Sequence, residues 1–255
     1  MSMLSIENLG KVFESNKGAV VALEDIDLTV DRGELAVIVG PSGCGKSTLL
    51  NIVAGLEAET SGQAVLEGAS ITGPGADRGM VFQSYTLFPW LTVRKNVEFG
   101  LRLKGVPSSE RADIARKYID LVGLAEFENA LPKELSGGMK QRVAIARVLA
   151  NNPVMLLMDE PFGALDAQTR LLLQELLLDV WRKEKTTILF ITHDIDEAIL
   201  LADNVYIMSR RPGRIKAKIP VNLSRPRDHK DTLTPEFSAV KSQIMELLWE
   251  EITPK

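Results

Sequence analysis

The chain has 255 residues, 45% of them apolar and 25% charged, with 34 acids against 30 bases and a net charge of −4. A chain of this size and balance buries its own core, and its acidity argues against a protein that coats nucleic acid. One cysteine, Cys44, excludes an internal disulfide and a multi-cysteine zinc site, and two histidines, His193 and His229, leave little for a histidine-rich metal centre.

Strand patterns open the chain. Residues 4–9 and 26–30 alternate apolar and polar, and residues 34–39 form an apolar run that reads as a buried strand. That run leads into Gly40-Pro41-Ser42-Gly43-Cys44-Gly45-Lys46-Ser47, and the following spacing predicts a helix over 48–56. A short strand is expected around residues 80–82. Residues 93–150 read as helical, with charges on one face and aliphatic residues on the other. A strand is predicted at 154–158, stopped by Pro161 and Gly163. A helix over 167–183 follows, then strands at 187–191 and 205–208 and a final amphipathic helix over 235–252. The leucine runs at 171–173 and 176–178 are expected to pack in the core. Strands alternating with helices predict a parallel-rich α/β sheet, and the helical stretch in the middle suggests an inserted subdomain.

The longest uncharged stretch, residues 79–93, is 15 residues long and contains Gln83, Ser84 and Pro89. A membrane-spanning helix takes about 20 mostly apolar residues. Residues 1–12 carry Glu7 and one base, Lys11, unlike a signal peptide. The protein is therefore expected in the cytoplasm.

Residues 40–47 fit G-x-x-x-x-G-K-S. Glycines let backbone N–H groups turn toward phosphates, and the helix that follows points its positive end at the same anion. Lys46 then reaches the β- and γ-phosphates and the Ser47 hydroxyl takes Mg²⁺. Thr48 completes the loop. Asp159 ends an apolar strand, 113 residues after Lys46, where a carboxylate holds Mg²⁺ from the opposite side. Glu160, beside it, is placed to act on a water. Ser136-Gly137-Gly138 opens a helix 23 residues before Asp159, a second anion cradle when found with the other two motifs.

With these three motifs in this order the chain resembles the ATP-binding subunit of an ABC transporter, over nearly its whole length. The resemblance implies an α/β P-loop cassette: a mostly parallel core sheet, antiparallel N-terminal strands and an inserted helical subdomain. The implied division is 1–92 with 153–228 as nucleotide-binding core, 93–152 as helical subdomain and 229–255 as C-terminal helix. It also implies that Phe13 stacks on adenine and that Gln83 senses Mg²⁺ and the membrane partner. Ser136 and Gly138, with Gly137, would meet the γ-phosphate bound on the opposite subunit. Asp166 would cross the dimer interface and His193 would hold the γ-phosphate. The chain departs from many relatives in Met139, where Gln is common, and in Gly163, where Ser is common. His229, in a polar segment, reads as a surface residue, and Cys44 as a position that tolerates a small side chain.

Residues 73–79, Leu87-Phe88-Pro89-Trp90, residues 159–166 and 211–215 and the tail at 220–228 look like the importers for nitrate, aliphatic sulfonates and taurine. That branch implies ATP and Mg²⁺ as cofactors and a second ATPase subunit as partner, with a homodimer expected. It further implies two integral membrane permeases, a solute-binding protein acting indirectly, no nucleic acid, and a peripheral place on the cytoplasmic side of the inner membrane. A soluble single-cassette ABC ATPase acting as an assembly factor remains open at this point. Tyr85, Leu87, Phe88, Pro89 and Trp90 read either as core or, preferably, as a docking groove for a partner helix. Residues 210–227 hold seven bases and no acid and are expected to form a solvated face.

Overall fold

The computed structural model describes residues 2–15 and 18–252. The chain divides into two compact units, Met1–Gly75 with Thr186–Lys255, and Ala76–Lys185. The expected C-terminal segment, 229–255, runs past residue 252 and so partly lies outside the described residues.

In the first unit, β1 (Ser2–Ser15) and β2 (Gly18–Asp31) pair antiparallel. Both are far longer than the alternation at 4–9 and 26–30 suggested. Register shifts fall between Ile6 and Leu9 and between Leu9 and Lys11, and Asn8 and Asp25 have φ of 47° and 48°. Each bulge resets the two-residue period, so the sequence pattern breaks where the strands continue. β3 (Leu35–Val39) is buried at all five positions, and α1 (Lys46–Val53) follows it. The helix starts earlier than expected because Gly45, at φ 111°, turns the loop directly into it. It stops before Gly55, whose φ is 73° and where a Cβ would lie 2.1 Å from the Gly73 carbonyl oxygen. β4 (Ser61–Leu66) joins β1 antiparallel and β5 (Ala69–Ser70) closes that sheet.

The second unit begins with β6 (Arg78–Val81). The stretch read as helical resolves into α2 (Val93–Leu103), α3 (Ser108–Leu121) and α4 (Gly137–Leu149). Gly105 at φ 75° and Pro107 separate the first two. Two one-turn 3₁₀ segments, Ala125–Phe127 and Pro132–Glu134, lie before α4. β7 (Met155–Asp159) pairs parallel with β6, and α5 (Ala167–Glu184) ends the unit. Leu173, Leu177 and Leu178 are buried, but Leu171 and Leu172 are 42% and 56% exposed. The core expectation for the leucine runs therefore holds only for the inward stripe, because consecutive helical residues point about 100° apart.

The chain returns to the first unit with β8 (Thr187–Ile191), α6 (Ile195–Leu201), β9 (Asn204–Met208), β10 (Ile215–Pro220) and α7 (Pro235–Ile252). β3 lies between β8 and β9, parallel to both, and β10 runs antiparallel to β9. The α/β class, the parallel core and the antiparallel N-terminal strands are all as expected.

Candidate functional site

Strand register assembles the site residues of each unit. Ile38 of β3 sits opposite Ile191 of β8. Gly40 and His193 each follow by two residues, so the phosphate loop and His193 leave the same carboxyl edge of neighbouring parallel strands, where α/β sheets bind ligands. In the second unit Val81 of β6 sits opposite Met158 of β7. Gln83 and Glu160 likewise follow by two.

In the phosphate loop, Lys46 is buried, and its Nζ donates to the carbonyls of Gly40 (2.8 Å) and Pro41 (3.0 Å). α1 has neither a side-chain cap nor an acid in its first turn, so its amides and dipole are offered to an anion. A Cβ on Gly43 would meet only Arg211 Nη2, at 3.6 Å, so little of the protein crowds that side of the loop. Arg211 itself donates to the Gly43 carbonyl at 3.0 Å. Ser47, exposed, and Thr48, half-buried, follow Lys46 in the first turn of the helix. This donor set fits a polyphosphate. Phe13 is part exposed on β1, with Lys11 Nζ 4.8 Å from its ring centroid.

In the second unit, Glu160 takes a left-handed backbone, φ 42°. A Cβ on Gly163 would stand 3.6 Å from Gln83 Nε2 and 3.8 Å from Glu160 Oε2. Gly163, Gln83 and Glu160 thus border one space, and a side chain at 163 would enter it. Oxygen ligands such as Asp159 and Gln83 suit Mg²⁺. Among the described residues there is no group of three His, Cys, Asp or Glu that could hold a metal. Ser136 caps α4, accepting from Met139 N–H at 3.3 Å. A Cβ on Gly137 would come 2.8 Å from the Tyr85 hydroxyl, and one on Gly138 would come 2.4 Å from Thr169 Cγ2. Asp166 caps α5, accepting from Thr169 N–H at 3.0 Å. Hydrogen bonding from Thr169, side chain and backbone, holds its carboxyl below the ordinary 3.8.

One sequence expectation changes and two are refined. The bases of 210–227 are not simply a solvated face: Lys216 pairs with Glu250 (2.7 Å) and Glu251 (2.8 Å), Arg214 with Glu24 (2.7 Å) and Arg225 with Asp203 (2.7 Å), while Arg227 is only 5% exposed. The missing acids come from elsewhere in the chain. Cys44 is buried, and burial raises its thiol above the ordinary 9.0. Trp90 is 73% exposed, so it is not core. Its ring centroid lies 5.8 Å from that of Phe88, which with Met80, Phe99, Leu103, Arg78, Lys104 and Arg147 lines a groove of about 560 Å³ in the second unit. Phe88 belongs to the cluster expected to dock a partner; Met80, Phe99 and Leu103 are half-buried or exposed apolar residues that no local motif joined to it.

The ABC transporter family model matches residues 23–163, more than half of the chain. The chain belongs to the ABC transporter family. Among its relatives, the nitrate import ATP-binding protein NrtD of Synechocystis sp. is 52% identical over 251 residues, covering 96% of this chain and 94% of the relative. The aliphatic sulfonates import ATP-binding protein SsuB of Bacillus subtilis is 47% identical, covering 95% and 92%. The taurine import ATP-binding protein TauB of Roseobacter denitrificans is 48% identical, covering 98% and 95%. A solved dimeric ATP-binding cassette in a post-hydrolysis state, bound to ADP and Pi, is 32% identical, with a TM-score of 0.76 over 87% of this chain and 100% of that one. This ABC protein is an ATPase with ATP and Mg²⁺ as its cofactors. The relatives lend no support to an assembly-factor role.

Proposed function

We propose that this chain is the ATP-hydrolysing subunit of an importer for a small oxyanion-bearing solute: nitrate, an aliphatic sulfonate, taurine or a similar compound. The observation that carries the reading is that import-named relatives match 95% to 98% of the chain at 47% to 52% identity, well past residue 163 where the family match ends.

In this reading residues 1–92 and 153–228 form the nucleotide-binding core, 93–152 the helical subdomain and 229–255 the C-terminal segment. Phe13 supports the adenine. The amides of residues 40–48 and the Lys46 ammonium hold the phosphates. Ser47, Gln83 and Asp159 would hold Mg²⁺, which supplies charge neutralisation along the phosphate chain. Glu160 takes the proton of the attacking water; its extra methylene reaches past Asp159. His193 steadies the γ-phosphate and Gln83 reports on it to the partner. Ser136, Gly137 and Gly138 present the α4 N-terminus to the ATP of a second, identical subunit, and Asp166 lies at that subunit's interface.

No helix among the described residues is long and apolar enough to cross a membrane. The protein is placed at the cytoplasmic face of the inner membrane by docking to two permeases, which in turn meet a solute-binding protein. The basic-rimmed apolar groove beside Trp90 fits a permease helix. The Phe88 ring lies 5.8 Å from the Trp90 ring, tilted by 50°.

Proteoliposomes holding this subunit and the co-purified permeases are expected to take up nitrate, taurine or an alkanesulfonate when ATP is supplied. Absence of uptake for all three, with the chain recovered only in a soluble complex, would refute the importer reading. Trp90→Ala should weaken permease assembly by about 2 kcal/mol and leave the isolated subunit's turnover unchanged.

A further inference from the structure

The last four carbonyls of a helix have no partner inside it. α6 has no base in its last turn, and its C-cap, Ala202, is already extended. The partners come from the tail. Arg227 Nη1 donates to the carbonyls of Ile199 (3.1 Å), Leu200 (3.5 Å) and Ala202 (2.5 Å). Arg225 Nη2 donates to the remaining one, Leu201 (2.8 Å). The other arm of Arg227 reaches the carbonyls of Val221 (2.8 Å) and Leu223 (3.1 Å). Arg225 also grips Asp203 Oδ1, while Asp203 Oδ2 accepts from Leu35 N–H at the start of β3 (2.9 Å). A buried guanidinium persists only with its acceptors in place, and two cations at the negative end of a helix complement its dipole. Burial and the charge of Arg225 lower the Arg227 pKa to about 10, so the clamp stays charged at neutral pH.

The opposite end of α6 is the site. Asp194 caps the helix, accepting from Glu197 N–H at 3.1 Å, and His193 directly precedes it. Asp194 N–H donates to the buried Thr192 hydroxyl (3.0 Å), and Thr192 N–H to the Ile38 carbonyl of β3 (3.2 Å). α6 is seven residues long, too short to hold its register without outside contacts. We infer that Arg225 and Arg227 are positioning residues for His193: by closing the C-terminus of α6 onto the tail and β3, they fix the helix along its axis and thereby set where the His193 ring stands. The inference rests on reading His193 as the γ-phosphate contact. It also gives the tail at 220–228 a role that its sequence pattern alone left unassigned.

The chain has two histidines, so histidine labelled at the ring carbon shows two ring signals, assigned with His229→Gln. Arg227→Lys keeps the charge but cannot span the same carbonyls with one ammonium. It is expected to shift the His193 signal and lower kcat about tenfold, as a small misplacement of a reacting group does, with the KM for ATP within about twofold. In a His193→Ala background the same substitution should change kcat by less than about twofold. An unmoved His193 signal, or losses that multiply in the double variant, would overturn the clamp. Should Arg227→Lys fail to fold, Arg225→Lys, which touches one helix carbonyl, is read by the same criteria. Wild-type turnover in His193→Ala would refute the phosphate role of His193, while a shifted ring signal in the arginine variant would still support the clamp.

Discussion

The N-termini of α1 and α4 look alike in sequence, each a glycine-rich turn before a helix, and they are built differently. α1 has no side-chain cap and no first-turn acid, with a buried lysine folded against its loop. α4 is capped by its own Ser136 hydroxyl, and both its glycines are hemmed in by Tyr85 and Thr169. The first end therefore offers its amides to an anion as it stands. The second already has one amide satisfied, so in the proposed dimer a phosphate from the partner must share that hydroxyl. A glycine-rich helix start is thus two devices, and the cap distinguishes them.

The largest expected effect separates both ends from the chemistry. Glu160→Gln should lower turnover by about 10²-fold or more, the usual contribution of a general base, while ATP binding persists. Gel filtration should then show an ATP-dependent dimer; a monomer with bound ATP would break the assignment of α4 to the partner's phosphate. Next, Thr48→Glu places an acid in the first turn of α1. Like charges about 4 Å apart repel by about 4 kcal/mol at an effective dielectric of 20, so MgATP affinity should fall at least about 100-fold. The same acid complements the helix dipole, so thermal stability without nucleotide should rise. Unchanged MgATP affinity would show that α1 is not an anion site. At α4, Ser136→Ala should cost about 1 kcal/mol of stability and Ser136→Gly only a few tenths, whereas both should lose the ATP-dependent dimer equally. Smallest is the pH effect of Cys44. Its folded thiol titrates above the ordinary 9.0, so between 9.0 and the raised value the unfolded chain loses a proton that the folded chain keeps. Stability should therefore decline with rising pH in that window, and Cys44→Ala should flatten the decline in a denaturant titration.

Much of this was legible before any fold was known. The five-residue strands β3 and β8 are buried throughout and read as plain apolar runs, and the phosphate loop carries its own geometry in its glycines. What stayed hidden depended on partners distant in sequence. The length of β1 and β2 was masked by bulges at Asn8 and Asp25. Leu171 and Leu172 sit in a run that looks like core but straddle the helix edge. The burial of Arg227 could not be read from a basic segment, because its acceptors are the carbonyls of Ile199, Leu200 and Ala202, some 25 to 28 residues earlier. Gly163, noted as a departure from relatives, is explained by the space it leaves beside Gln83 and Glu160.

Lys46 carries a consequence for how the protein can evolve. Its ammonium is dehydrated when the chain folds, in exchange for two loop carbonyls, so the cost of stripping water from that charge falls on the stability of the fold and not on the capture of nucleotide. Drift toward a more stable protein would favour an uncharged residue here, and Lys46→Met is expected to raise the melting temperature of the nucleotide-free protein while ending its activity. Selection for function must hold this position against selection for stability.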